Sequence, residues 1–455
     1  MSVDEKQSTQ HLYPKDLARF VYDRWDEETK DLVGVRTLLG ERPDALPPLE
    51  VLERIISICY QASLLCEERR PVALRMIVGD PARFPADGGP PGGLQPLVFE
   101  EPLAFNPEEL RALSPATVFH RSLVGVNFDA QNIPCIWGMI QSGPNWMKSL
   151  RGGRGASGHL PPYLVIYVTG PGRIEVNCGL TTIGQLSDGA VFGRSMNIFD
   201  SEWYSEAFAP IRAEVLALHN AERTMRGHNW PDLDPQLIRV IGQHMTKRII
   251  ASMRNSHHGG TLIFVPPELA AELESKNPSV NIKYRFHESP ARSRFRLLLL
   301  EIMEQLAVHF SKEGKHTDGK PVGWREYALS RHEGLTILGE SIFEMGHLIA
   351  SLSTVDGAVL VTKRWELLGF GGELLCSDAD IAYVARALDL EAENVVMESA
   401  IGVGTRHRSV YRFCNDHHDA IGIVASQDGD VRIVAWKGDC VTYWDHQAIR
   451  TSLGY

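Results

Sequence analysis

Along almost all of its 455 residues the chain alternates short apolar, β-branched runs with segments whose apolar positions return every three or four residues. A period near two suits a strand and a period near 3.6 suits a helix with one buried stripe. Their alternation confines the chain to the α/β or α+β classes. Leu52, Ile55, Cys59, Ala62 and Cys66 form a helical stripe after Pro47-Pro48, Pro71 ends that segment, and Val72–Val78 reads as a strand. Ser122–Phe128 and Ile133–Ile140 read as two strands. Tyr163–Val168 and Arg173–Val176 form a hairpin about Gly170-Pro171-Gly172. Further on, Asp234-Pro235 opens a helix striped by Leu237, Ile241, Met245 and Ile249. Thr261–Val265 is a strand, and Leu297–Phe310 and the stripe Ile342, Met345, Ile349, Leu352 are helices. Ala358–Thr362 and Leu367–Phe370 are strands, the positions Ile381, Val384, Ala385 and Leu388 predict a helix, and Ile421–Val424 pairs with Val431–Trp436.

The two halves repeat this order: helix, strand, helix, strands, hairpin. The hairpins YLVIYVTGPGRIEVNCG and IGIVASQDGDVRIVAWKG match most closely. Either one fold is used twice, or two unrelated domains share a generic order of elements. The division this predicts is a polar lead-in over 1–47, a domain over 48–230, a joint near Gly227–Asp234 and a second domain over 235–445.

Lys+Arg 46 against Asp+Glu 57 leaves a net charge of −11, which argues against a duplex nucleic-acid partner, since such binding runs on basic side chains neutralising phosphates. The apolar runs, Leu297–Leu300 among them, are far short of a membrane span, and MSVDEKQSTQ has no apolar core of a secretory signal. The seven cysteines include no C-x-x-C pair, which suits reduced thiols. A cytoplasmic protein with no membrane partner is the expectation.

Two segments carry chemistry. In Gly404-Thr405-Arg406-His407-Arg408, three potential cations and a hydroxyl follow a glycine. Guanidinium forks and backbone N–H groups together suit an anion rich in oxygens, and a helix beginning there adds its dipole. By composition alone such a cluster is also ordinary solvated surface. Val355-Asp356-Gly357-Ala358 stands at a strand entry, where a carboxylate can reach a metal while small residues let the backbone approach a ligand. An ordinary Asp-Gly turn reads the same way.

In this order the two segments resemble the diadenylate cyclase (DAC) family, which includes the N-terminal domain of the DNA-integrity scanning protein. Gly260–Val265 resembles the family's first strand, and Ile421–Trp436 its strand and hairpin after the helix. The resemblance covers about 235–445 and implies a DAC-like mixed sheet flanked by helices. It implies condensation of two ATP into cyclic di-AMP with release of pyrophosphate, a divalent metal (magnesium or manganese) and a homodimer through the DAC domain. Asp356 would hold the metal and help activate the ribose 3′-hydroxyl, with Asp428 as a second acidic neighbour. Gly404, Thr405, Arg406, His407 and Arg408 would bind and neutralise phosphates. Gly357 and Ala358 would admit the nucleotide, and Leu374 would touch adenine.

The chain departs from the family in three ways. Asp356 and Thr405 stand 49 positions apart, so an insertion with a helix over 378–388 is expected beside the site. Ser409-Val410-Tyr411 replaces small residues, and Ser426-Gln427-Asp428 replaces Ser-Glu-Glu. In the N-terminal half, Cys59–Val72, Ala112–Val126 and Ile136-Trp137-Gly138 resemble a DAC-related group described as probable sensor domains, DACNV. That half has neither signature, so as a second, degenerate DAC-like domain it would be catalytically empty. The resemblance therefore leaves two functions: a regulated diadenylate cyclase, or a DAC-derived sensor that holds ATP or a cyclic dinucleotide without turnover. Other features read more plainly: His257-His258 as a loop feature, Asp416–Asp419 as splayed side chains, Gly152–Gly158 as a loop, and Glu67–Arg70 as a solvated helix end.

Overall fold

The computed structural model describes residues 11–36, 44–85, 88–90, 93–129, 131–144, 160–187, 189–193, 198–226, 230–256, 258–274, 279–312, 321–375, 381–427 and 430–445. Within those bounds the chain forms two compact units: one of residues up to 147 together with 156–195, the other of 196–449. The segment 196–226 therefore belongs to the second unit, and the division falls before the joint expected near Gly227–Asp234.

The first unit opens with helix α1 (Pro14–Arg36), where a polar lead-in was expected. Leu17, Ala18, Val21 and Trp25 return at helical spacing and are buried, so this stretch is part of the core. Next come α2 (Leu49–Ser63), a small hairpin of β1 (Cys66–Glu67) and β2 (Arg70–Pro71), β3 (Leu74–Val78), β4 (Gln95–Ala104) and α3 (Pro107–Leu113). Glu68 and Arg69 have φ of 50° and 68°, so Glu67–Arg70 is a hairpin turn rather than a helix end. Strands β5 (Ser122–Phe128), β6 (Pro134–Gln141), β7 (Leu164–Gly170), β8 (Arg173–Cys178), β9 (Thr181–Ser187) and β10 (Ala190–Gly193) follow. The sheet order is β10-β9-β8-β7-β3-β5-β6-β4. Leu74, Met76 and Val78 face the apolar sides of α1 and α2.

The second unit contains α4 (Glu202–Ala207), α5 (Ala209–Arg226), α6 (Gln236–Asn255), β11 (Gly260–Val265), α7 (Pro267–Glu274), β12 (Val280–Arg285), α8 (Arg294–Lys312), α9 (Trp324–Leu329) and α10 (Glu333–Leu352). They are followed by β13 (Ala358–Thr362), β14 (Leu367–Leu374), β15 (Tyr383–Ala387), β16 (Val395–Ser399), α11 (Thr405–Asp416), β17 (Ile421–Ala425), β18 (Val431–Lys437) and β19 (Cys440–Asp445). The Asp234 carboxylate accepts from the Gln236 N–H at 2.9 Å, as a helix entry requires. Helix α10 is long and apolar enough to cross a membrane by composition, yet Leu335, Leu338, Ile342, Met345 and Ile349 place its apolar stripe in the core. The sheet order is β12-β14-β13-β11-β17-β18-β19-β15-β16. Helices α6, α8 and α10 cover the face of Leu262, Phe264, Val359 and Val361. Helix α11 covers the opposite face through Val410, Tyr411, Phe413 and Cys414.

The segment around Ile381–Leu388 is strand, not helix. Its apolar spacing suits both states, and the free edge of β19 decides: Ala385 and Arg386 pair in parallel with Thr442 and Tyr443, and β16 pairs antiparallel beyond. The insertion thus extends the far end of the sheet, and none of its described residues lines the cleft introduced below.

The two sheets share one topology. In each, a strand after a long helix runs parallel to one neighbour and antiparallel to the other (β3 with β5 and β7; β11 with β13 and β17). Each parallel neighbour turns back antiparallel (β6; β14), with an antiparallel edge strand beyond it (β4; β12). Each antiparallel neighbour opens a three-stranded meander (β7-β8-β9; β17-β18-β19). Seven strands correspond in order and direction, which supports one fold used twice over two unrelated domains.

Candidate functional site

In the second unit, β11 and β13 begin where β14 and β17 end, and the first turn of α11 meets them there. The result is an open cleft of about 1180 Å³. Asp356, Gly357, Ala358, Leu374, Gly404, Thr405, Arg406 and His407 all line it, although Asp356 and Thr405 are 49 positions apart in sequence. Arg408 does not line it; its Nη2 donates back to the Val403 carbonyl at 3.2 Å. Asp428 lies outside the described residues, as do His257 and Gly152–Gly158. Among the described residues no group of three or more acidic, histidine or cysteine side chains gathers around a metal position, the segment Asp416–Asp419 included.

Gly357 shows why the strand entry has this composition. Its φ is +109°, and a Cβ there would lie 2.6 Å from the Gly371 carbonyl carbon and 2.9 Å from the Gly372 nitrogen. Backbone meets backbone, so only glycine fits. The turn this makes leaves the Asp356 side chain fully exposed at the mouth of the cleft.

Opposite stands the amino end of α11. The N–H groups of its first turn have no intrahelical acceptor, and the helix dipole favours negative charge there. Arg406 is tethered at this end: Nη1 donates to the His258 carbonyl at 2.9 Å, and Nη2 stands 3.8 Å from Asp356 Oδ1. Gly259 makes room for it, since a Cβ at that position (φ +67°) would come 2.5 Å from Arg406 Nη1. Burial, with Arg432 and Arg406 adding to it against Asp430, pushes the His407 imidazole down to about 4. At neutral pH His407 is therefore uncharged, and of the three cations expected from the sequence the cleft presents one, Arg406.

Lys283, Asn281 and Glu373 also line the cleft and were not anticipated. The first two lie on β12, a short edge strand whose VNIKYR sequence does alternate apolar with polar residues but carries no glycine-rich or charged signature of a site. The Lys283 ammonium lies 5.1 Å from the centre of the Tyr284 ring. Lys283 supplies a second cation, from β12.

The shared topology says what stands at the corresponding place in the first unit. Pro81 and Pro267 each follow the central strand by the same step, five residues past Met76 and Leu262. Met76 pairs with Val124 and Leu262 with Val359, which places Arg75, Arg121 and Ser122 at the positions of Thr261, Asp356 and Gly357. Arg75 is fully buried. Its Nη2 donates to Ser142 Oγ at 2.9 Å, and its guanidinium lies about 6 Å from the Phe119 and Tyr167 ring centres. A cation stands where the second unit has its carboxylate, and a second one fills the space beside it.

Residues 41–141 match the family model described as probable sensor domain DACNV. The match runs through α2 and ends with β6, inside the first unit, and contains all three segments whose resemblance to that group was noted. No curated protein and no solved structure matches the chain.

Proposed function

We propose that the second unit is a nucleotide-binding DAC-type domain that condenses two ATP into cyclic di-AMP with release of pyrophosphate, in a signalling protein whose first unit is a DACNV-type sensor. The observation that carries this reading is the convergence of Asp356-Gly357-Ala358 and Gly404–His407 on one cleft of nucleotide size. The triphosphate would lie against the amino end of α11, with Arg406 and Lys283 as its charge partners. Leu374 and Ala358 would take the adenine and ribose. The DACNV match supports the association with DAC-type signalling.

A divalent metal, magnesium or manganese, fits the donor set. Such ions take one or two carboxylates and complete their shell with phosphate oxygens and water, and Asp356 is an exposed carboxylate beside the proposed phosphate position. Asp356 would hold the metal, which when bound neutralises phosphate charge. In the reaction the 3′-oxygen of each ATP forms a bond to the α-phosphorus of the other, the bond to pyrophosphate breaks, and the hydroxyl proton passes to solvent. Positioning and charge stabilisation suffice for this chemistry. Each cleft holds one ATP, so two clefts must face each other across a two-fold contact, and the catalytic form is a homodimer.

The second reading, a sensor that holds ATP or a cyclic dinucleotide without turnover, is favoured by Gln427, a neutral amide lining the cleft where a further carboxylate would serve a metal. Incubating the full chain with ATP and magnesium or manganese and analysing products by chromatography and mass spectrometry separates the two. Cyclic di-AMP supports the cyclase, and nucleotide binding with no product supports the sensor.

A further inference from the structure

The second unit encloses another cavity, and none of its lining residues lines the nucleotide cleft. It lies between α4, α5, α6, α8 and the turn from β13 to β14, and its walls are the apolar side chains of Phe208, Val215, Ile238, Phe295, Leu299 and Trp365. Two arginines, Arg212 and Arg239, also line it, and no carboxylate does. Arg212 Nη1 donates to the Ser205 carbonyl and Arg239 Nη2 to the Phe199 carbonyl at 3.4 Å, and neither forms an ion pair among the described residues. Burial, and then the neighbouring charge of Arg239, holds the Arg212 guanidinium below its ordinary value. Two like charges lining one apolar space are relieved by an anion. Lys363 also lines the cavity, and burial holds its ammonium below its ordinary value against the opposing pull of Asp419 and Glu268.

Gly242 is an independent sign that the space is kept open. It sits in the interior of α6, where glycine disfavours a helix relative to alanine. Close packing does not require it, because a Cβ built there meets nothing within 4 Å. The side it leaves bare is the cavity.

We propose that this cavity is a second ligand site, for a small carboxylate with a short alkyl or single-ring body, its carboxylate on Arg212 and Arg239 and its apolar part against Phe295, Leu299 and Trp365. Size sets the class. The cavity volume is about 50 Å³. That is far below the roughly 300–1,000 Å³ of a pocket for a drug-sized ligand. A short tail or one ring fits, with the head group on the two arginines. Guanidinium forks match a carboxylate in two-point geometry.

The test is calorimetric titration of the full chain with hexanoate and with hexanamide, its neutral counterpart of nearly the same shape. Hexanoate should bind at least about tenfold more tightly than hexanamide, the difference expected of a charge-assisted contact. Arg212→Gln and Arg239→Gln should each weaken hexanoate by about tenfold and leave hexanamide unchanged. Gly242→Leu should abolish binding of both by filling the space, with the melting temperature confirming that the chain is folded. Equal affinity for the two probes, unaltered binding in Gly242→Leu, or no binding of hexanoate at about 10 mM would overturn the proposal.

Discussion

Replacing Arg406 by alanine separates the role of this side chain in the fold from its role toward a ligand. In the fold Arg406 does little. Its side chain is 36 % exposed, its partner Asp356 is fully exposed, and they stand 3.8 Å apart. A pair so placed in water contributes between about 0 and 1 kcal/mol. The hydrogen bond to the His258 carbonyl tethers a loop that solvent can also satisfy. The unfolding free energy should therefore fall by less than ~1 kcal/mol in a urea titration. Toward a triphosphate the same guanidinium supplies charge-assisted hydrogen bonds of about 1.5–3 kcal/mol, which corresponds to a roughly ten- to 150-fold weaker ATP complex without them. Calorimetric titration with ATP, ADP and adenosine reads this directly: the loss should be large for ATP and near zero for adenosine. Arg406→Lys should fall between, since lysine keeps the charge and loses the fork. Unchanged ATP affinity in Arg406→Ala, or an equal loss for adenosine, would refute the assignment of phosphate to the amino end of α11.

Three further outcomes follow from the geometry. Gly357→Ala forces a Cβ to within 2.6 Å of the Gly371 backbone at φ +109°, and should destabilise the second unit by about 2–4 kcal/mol in urea and weaken ATP binding with it. The His407 imidazole is held down to about 4, below its unfolded value of 6.5, so the folded chain binds fewer protons between those pH values; stability should be fully present above pH 6.5 and decline towards pH 4, and His407→Asn should remove that slope from the unfolding midpoints. In the first unit burial raises Glu175 to about 7 against hydrogen bonds from Thr182 and Asn177; its contribution is fully present below pH 4.5 and is lost as pH rises through 7, and Glu175→Gln, which keeps an acceptor for Thr182, should flatten that dependence.

The cleft was legible in the sequence because its residues are local signatures. Glycine at 357 and the run from Gly404 to His407 have their composition for reasons that act within a few residues, a backbone crossing and a helix start, and such reasons leave a mark in the string. Positions set by distant pairing left less of one. Val384 and Ala385 have spacing compatible with a helix, and only the open edge of β19, more than fifty residues on, makes them strand. Lys283 enters the cleft because β12 pairs with β14, a register nothing in NIKYR announces. Arg408 looked equivalent to Arg406, yet two positions on a helix turn the side chain away, towards the Val403 carbonyl. In the sequence the duplication showed as a shared order of elements and an echo between hairpins, and the common strand order of the two sheets supports it. Arg75 shows why the echo was faint: where the second unit opens a cleft, the first has filled the position with a buried cation.

The most direct test of the account is synthesis of cyclic di-AMP by the full chain and by its Asp356→Asn variant, with ATP and magnesium or manganese, at several protein concentrations. The account predicts product from the unaltered chain, with specific activity rising as protein is concentrated because two clefts must meet. It predicts none from Asp356→Asn, while calorimetry still detects ATP bound through the contacts of α11. Cyclic di-AMP from the variant at the parent rate would show that Asp356 has no part in the reaction. ATP bound but never converted by the unaltered chain, at any concentration and with either metal, would contradict the cyclase and leave a sensor.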